Sequence, residues 1–233
     1  MSDDRSAKPR DVPADFSQRN HRRLIGTLGL VLPVLLYLVA GLRPTAPLER
    51  WRVLDSISAY YYTGAVAIFV GVLFALSLFL FTYPGYKGVL ADRLVGALGG
   101  IGALGVALFP TAAPGELPEP PWWSSTLRVV HYLSATMLFV SFILFAIWLF
   151  RKSELPPDRR PPDKRRRDAV CLACGIVMII AVLWAGSSYF TQAPIFVPES
   201  IAIIAFAISW LVKGEAYAPV LKVMRELRGR GRG

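Results

Sequence analysis

Three kinds of side chain in this sequence could do chemistry together: an imidazole, a carboxylate and a group of hydroxyls. His131 lies in "VVHYLSA" and Glu199 in "FVPESIAIIAFAISW", each within a long apolar stretch. Such a pair can act as acid and base toward a serine hydroxyl, or bind a metal ion weakly. The hydroxyl side chains that could join them are Ser56, Ser58, Tyr60, Tyr61, Tyr62, Ser187 and Ser188.

The elements that must position these residues are apolar blocks. Of the 233 residues, 54% are hydrophobic, and the mean hydropathy is +0.46. A helix needs about 20 apolar residues to cross a bilayer, and the sequence predicts an all-α, polytopic membrane protein with a six-transmembrane-helix bundle. The six blocks are Leu24–Leu42, Thr63–Tyr83, Val95–Phe109, Leu127–Phe150, Ala169–Phe190 and Ile195–Val212.

The basic residues indicate how this bundle is oriented. With the six blocks as spans, 22 of the 26 lysines and arginines lie on one side of the membrane. Cytoplasmic segments carry such an excess, so we predict that both termini are cytoplasmic. Residues 1–23 then form a largely disordered cytoplasmic segment and residues 24–213 the transmembrane domain. Residues 214–233 form a basic cytoplasmic tail that could lie on the membrane as an amphipathic helix.

The net charge of +10 suits a membrane surface. Basic segments beside apolar spans contact anionic lipid, so we expect membrane lipids as partners and no nucleic acid. The oligomeric state is left open.

The candidate residues fall at one depth in the predicted bundle. Glu199 lies 14 residues before Lys213 at the end of its helix, which is about 21 Å. Counting residues in the same way from the charged ends of α-helical blocks four and five places His131, Ser187 and Ser188 in the outer half of the bundle. Ser56–Tyr62 lie just outside it. Polar groups in lipid need partners, so the sequence predicts an outward-facing polar pocket in which Glu199 meets His131.

Each residue also has a simpler interpretation. Glu199 follows Pro198 and could be a first-turn acid that the helix dipole favours. Ser56 and Ser58 could cap the second helix, and the three tyrosines could belong to an aromatic belt at the membrane surface. On the inner side, Asp92 and Arg93 predict an ion pair.

Two short motifs resemble cofactor or metal sites. "GIGALG" has the spacing of a dinucleotide-binding loop, but it lies within an apolar block without a preceding strand. We interpret its glycines, with the G-x-x-x-G pair Gly96 and Gly100, as a surface for close helix packing. "CLAC" lacks the second Cys or His pair of a zinc site, so Cys171 and Cys174 are interpreted as packing residues. We expect no cofactor.

Several stretches of the sequence carry a resemblance to a known family. "SISAYYYTG", "FVGVLFALSLFLFTYPGYKG", "GVALFPT", "VVHYLSA" and "ESIAIIAFAISWLVKG" resemble a family of uncharacterised bacterial six-helix membrane proteins, which is more distantly similar to DRAM/Sfk-type membrane proteins. The resemblance implies a six-helix fold in the bacterial inner (plasma) membrane and no settled activity. It implies that Ser56, Ser58, Tyr60, Tyr61, Tyr62, Asp92, His131 and Glu199 are family-type positions.

Three classes of function fit these observations. The first is a protein whose outer pocket binds a lipid or small amphiphile. The second is an intramembrane hydrolase that acts on lipid through His, Glu and Ser, with or without metal. The third is a small-solute transporter or channel, for which polar residues on both halves of the helices would be expected. We favour the first, and whether the protein is an enzyme is left open.

Overall fold

The computed structural model describes residues 12–85, 90–115, 117–153, 156 and 159–216, without the side chains of residues 12–16 and 189. These residues form helices and no β-strand. Two 3₁₀ helices, Ser58–Tyr62 and Leu149–Arg151, lie between the α-helices. The α-helices are α1 (Val12–Leu42), α2 (Val66–Phe81), α3 (Leu90–Leu108), α4 (Ser125–Ile147), α5 (Pro162–Thr191) and α6 (Phe196–Lys213).

Five helical segments in the described residues are long and apolar enough to cross a membrane. The remaining α-helix, α2, is apolar but has only 16 residues, or about 24 Å of axis. The prediction of a helical membrane protein is therefore confirmed. The five segments are Ser17–Leu42, Leu90–Leu108, Ser125–Arg151, Pro162–Ser188 and Phe196–Lys213.

The six helices form a closed ring in chain order. Each helix packs on the next one along the chain, and α6 returns to pack on α1. Inside the ring, α4 and α6 meet where the Phe142 and Phe206 rings stack with centroids 3.5 Å apart. On the outside, large apolar side chains such as Leu133, Ile180 and Leu183 are exposed, as expected of a surface that faces lipid.

Glycines let α3 approach its two neighbours closely. A Cβ atom on Gly102 would lie 2.6 Å from the Leu138 nitrogen and 2.7 Å from the Ser134 carbonyl oxygen, both in the α4 backbone. The other neighbour of α3 is α2, and a Cβ on Gly96 would lie 2.7 Å from the Leu80 carbonyl oxygen of α2. The predicted role of the α3 glycines in close helix packing is therefore confirmed.

Three helices, α1, α3 and α5, begin five or more residues before their apolar blocks. The α1 helix begins at Val12, within the segment that we expected to be largely disordered, and its polar residues bond to the ends of other helices. For example, His21 Nε2 lies 2.6 Å from the Phe79 carbonyl oxygen. The α3 helix begins at Leu90, so that Asp92 is buried in its first turn. The tail from residue 217 onward, including the expected amphipathic helix, lies outside the described residues.

Candidate ligand-binding cavity

The segment between α1 and α2 folds into the bundle as the 3₁₀ helix Ser58–Tyr62. Just before this helix, the Ser56 hydroxyl oxygen accepts the Ala59 N–H at 3.0 Å. Thr63 ends it by donating its hydroxyl to the Tyr60 carbonyl oxygen at 2.8 Å. Ser56 therefore has a local capping role, although it caps this 3₁₀ helix rather than α2. The turn is buried at Ser58 and Tyr60.

Glu199 binds the beginning of this 3₁₀ helix from the first turn of α6. Its Oε2 atom accepts a hydrogen bond from the Ile57 N–H at 2.6 Å. In return, the Asp55 carbonyl oxygen accepts the N–H groups of Ile195 and Phe196 at 2.6 and 2.8 Å. The α6 N-terminus and the 3₁₀ helix therefore each satisfy backbone groups that the other leaves without a partner.

His131 binds the same 3₁₀ helix from α4. Its Nδ1 atom lies 2.6 Å from the Phe109 carbonyl oxygen and its Nε2 atom 3.0 Å from Ser58 Oγ. A carbonyl oxygen can only accept, so Nδ1 carries the proton and donates it. In the neutral imidazole, Nε2 is then left to accept the Ser58 hydroxyl proton. The buried His131 thus fixes the orientation of Ser58.

Glu199 and His131 therefore reach adjacent residues, Ile57 just before the 3₁₀ helix and Ser58 at its first position. Neither side chain has a hydrogen bond to the other within the part of the chain that the structure describes. We expected the carboxylate and the imidazole to meet directly. The structure connects them through the backbone between these two residues instead.

An apolar cavity lies inside the ring of helices, and Ser58 and Glu199 form part of its lining. It is lined by sixteen residues of α1, α2, α3, α4, α6 and the loop with the 3₁₀ helix. Its polar lining side chains are Ser58 and Glu199, and its apolar lining includes Leu73, Phe139 and Ile203. The cavity therefore has a polar end and an apolar body.

Comparison with known families matches most of this chain. The profile of the family described as "Protein of unknown function (DUF998)" matches residues 56–214. The chain belongs to the DUF998 family. The searches of curated proteins and of solved structures gave no match. The DUF998 match begins at Ser56 and so includes the 3₁₀ helix, His131 and Glu199.

The three tyrosines of this DUF998 chain have separate environments. Tyr60 is completely buried, with its ring 5.8 Å from that of Phe196, and burial raises the pKa of its hydroxyl. The Tyr61 ring packs edge-on against Phe69. Tyr62 donates its hydroxyl to the Thr111 carbonyl oxygen at 2.6 Å, and burial raises its pKa to about 12. None of the three side chains lines the cavity.

The α5 serines of the DUF998 match lie away from the cavity. Ser187 and Ser188 both direct their hydroxyls to the Trp184 carbonyl oxygen of their own helix, at 2.7 and 3.5 Å. No residue of α5 lines the cavity. The structure therefore brings together Ser58, His131 and Glu199, and leaves Ser187 and Ser188 outside this group.

The described residues contain no group of three or more His, Cys, Asp or Glu side chains that could hold a metal ion. Both ring nitrogens of His131 are engaged by Phe109 and Ser58. Cys171 and Cys174 are buried in α5, in agreement with a packing role.

The end of the bundle away from the 3₁₀ helix Ser58–Tyr62 holds a polar cluster that the sequence did not predict. Asp92 forms an ion pair with Lys152 at 3.6 Å, whereas the Arg93 side chain is exposed. Arg22 is buried and donates to the Tyr83 hydroxyl at 3.2 Å, and Lys213 donates to a backbone carbonyl at 2.8 Å. The available indication was that these basic residues lie within one helical turn of the ends of the apolar blocks.

Proposed function

We propose that this protein is an integral membrane protein that binds a lipid or small amphiphile in the cavity below the 3₁₀ helix. One observation supports the proposal above the others. The cavity has an apolar body and ends at Ser58 and Glu199. Small-molecule sites are usually apolar cavities with a few polar groups that fix orientation.

The cavity lining extends along two neighbouring helices, which supports an elongated ligand. Along α4 its lining extends from Ala135 to Phe142, and along α6 from Glu199 to Phe206. Seven residues of helix correspond to about 10 Å. The stacked rings of Phe142 and Phe206 lie at the end away from Glu199. An amphiphile would therefore place its head group beside Ser58 and Glu199 and its chain between the helices.

The same proposal includes the membrane topology. We propose that α2 also crosses the membrane, which makes six spans, and that both termini lie in the cytoplasm of a bacterial cell. The distribution of basic residues supports this orientation, since 22 of 26 lie on the side of the termini. The cavity then opens toward the outer face of the inner membrane. A distant relationship to DRAM/Sfk-type proteins remains part of this proposal.

Photolabelling tests the binding function. A dodecanol probe with a diazirine group on its chain would be photolysed with the purified protein in phosphatidylcholine nanodiscs. We expect saturable labelling of the cavity-lining segments of α2, α4 and α6, mapped by mass spectrometry. Ala135→Phe, which fills the cavity, should abolish that labelling. Its neighbour Thr136 is exposed on the outer side of α4, so Thr136→Phe is the matched control and should keep it.

Labelling that is never saturable, or that Ala135→Phe and Thr136→Phe reduce equally, would contradict the proposal. In that case the probe would report only the lipid-facing surface of the protein.

The Ser58–His131 contact favours a second candidate function, an intramembrane hydrolase. Ser58 Oγ lies 3.0 Å from His131 Nε2, and the Phe109 carbonyl orients the imidazole. This is the arrangement of a nucleophile and its general base. Ser58 Oγ would attack an ester carbonyl while its proton passes to Nε2, and His131 would return that proton to the departing alcohol. Water would then hydrolyse the acylated serine.

A fluorophosphonate probe distinguishes the two functions. A hydrolase should lose its active-site serine labelling in Ser58→Ala and in His131→Gln. Absence of labelling at Ser58 in the wild-type protein would contradict the hydrolase and leave amphiphile binding as the function.

A further inference from the structure

We infer that the amphiphile held in this cavity carries an amine-type, positively charged head group, which Glu199 binds. This inference rests on the proposed binding function and names the chemical class of the ligand. It is carried by the charges around the cavity and by the hydrogen bonds of its polar end.

Glu199 is the one ionisable residue among the sixteen that line the cavity. Its Oε2 atom accepts the Ile57 N–H, and this is its one side-chain hydrogen bond within the described residues. A carboxylate can accept about four hydrogen bonds. Glu199 therefore has acceptor capacity left for a ligand.

The other acids inside the described bundle differ from Glu199 in this respect. Asp92 is paired with Lys152, Asp168 with Lys164 and Arg160, and Glu215 with Arg19 and Arg167. No lysine or arginine forms an ion pair with Glu199 in the described structure. A carboxylate in an apolar surrounding is costly without a positive partner, so an arriving ammonium group would supply the missing charge.

His131 does not supply that charge. Its ring is buried, and its nitrogens contact the Phe109 carbonyl and the Ser58 hydroxyl rather than a carboxylate. Burial without a negative partner disfavours the charged imidazolium. The polar end of the cavity therefore offers one carboxylate and no compensating cation. An anionic head group would meet like charge there, whereas a cationic one would meet opposite charge.

Ser58 adds a second acceptor. With a neutral imidazole, Ser58 donates its hydroxyl proton to His131, and the lone pairs of Ser58 Oγ remain available to a ligand. An ammonium group has three N–H donors and no acceptor, which matches acceptors on Glu199 and Ser58. A neutral alcohol head group offers one donor, and a carboxylate offers none.

Competition among three amphiphiles of equal chain length tests the inference. Dodecylamine, dodecanol and dodecanoate would compete with the diazirine dodecanol probe at pH 7 in phosphatidylcholine nanodiscs, which have no net lipid charge. We expect dodecylamine to compete about tenfold better than dodecanol, equivalent to about 1.4 kcal/mol, and dodecanoate to be the weakest. Glu199→Gln should remove the preference for the amine, while the exposed acid variant Glu119→Gln should keep it.

The two proposals fail in different ways. Absence of saturable probe labelling would overturn the binding function itself. Saturable labelling with equal competition by the three amphiphiles, or best competition by dodecanoate, would overturn the amine head group alone. The ranking on wild-type protein gives this result even if Glu199→Gln does not fold.

Discussion

Glu199 and Ile57 are 142 residues apart in the chain, and the Glu199 carboxylate accepts the Ile57 backbone N–H at 2.6 Å. The contact joins the first turn of the last described helix to the 3₁₀ helix that precedes α2. A first-turn acid normally satisfies N–H groups of its own helix. Here the carboxylate satisfies a backbone group of another segment, so its structural role and its position at the cavity are linked.

Removing the Glu199 carboxylate should destabilise the fold. In Glu199→Ala the Ile57 N–H loses its acceptor, and an unsatisfied buried donor costs about 1–3 kcal/mol. The melting temperature of the purified protein in detergent should fall. Glu119→Ala, which removes an exposed acid, should change the melting temperature little. Equal shifts for the two variants would show that the Ile57 contact contributes nothing.

His131 and Ser58 should be energetically coupled. They hydrogen-bond directly, whereas His131 and Glu199 are connected only through the Ile57–Ser58 backbone. Double-mutant cycles with His131→Gln, Ser58→Ala and Glu199→Gln would measure both coupling energies from melting data. We expect about 0.5–3 kcal/mol for His131 with Ser58 and a smaller value for His131 with Glu199. A larger value for the second pair would indicate a direct contact.

A methyl group on Gly102 should disrupt the α3–α4 interface. The added Cβ would lie 2.6 Å from the Leu138 nitrogen, and a backbone atom cannot move aside as a side chain can. Overpacking of this kind costs about 1–3 kcal/mol. Gly71→Ala in α2 is the control, since nothing lies within 4 Å of its added Cβ. Gly102→Ala should lower the detergent melting temperature and Gly71→Ala should not.

Single cysteines test the proposed orientation. Trp122 and Thr191 are exposed at the end of the bundle that holds the 3₁₀ helix Ser58–Tyr62, and Arg165 and Arg166 are exposed at the other end. In intact cells an impermeant maleimide should label Trp122→Cys and Thr191→Cys. It should label Arg165→Cys and Arg166→Cys only after permeabilisation.

The two native cysteines of this chain are buried, so their background labelling should be low. The reverse pattern of accessibility would invert the proposed topology, and the cavity would then open toward the cytoplasm.

The helices were predictable because a helix in lipid must be apolar along most of its length. The blocks that begin at Leu127 and Ile195 lie within two residues of the α4 and α6 starts. The predicted positions of helix ends were less accurate where polar residues continue a helix beyond the apolar region, as they do before Leu24 in α1. Those residues are helical because they pack against the ends of other helices. A hydropathy pattern does not predict such contacts.

The proximity of Ser58, His131 and Glu199 could be predicted from the sequence, but the contacts that connect them could not. Ser58, His131 and Glu199 were selected because polar groups at one depth of a bundle tend to converge. The backbone N–H of Ile57, which receives Glu199, has no side-chain signature in the sequence. Ser187 and Ser188 were included on depth alone, and depth does not specify which side of a helix faces the interior.

The closed ring of helices has a consequence for biosynthesis. Helices leave the ribosome in chain order, and each described helix packs on the one made before it, so most of the bundle can assemble as it is inserted. The cavity cannot. Until α6 arrives, Ile57 lacks its acceptor and the wall between α4 and α1 is missing. The proposed ligand could therefore be captured only after the final described helix has been inserted, and a partly synthesised chain could not hold it.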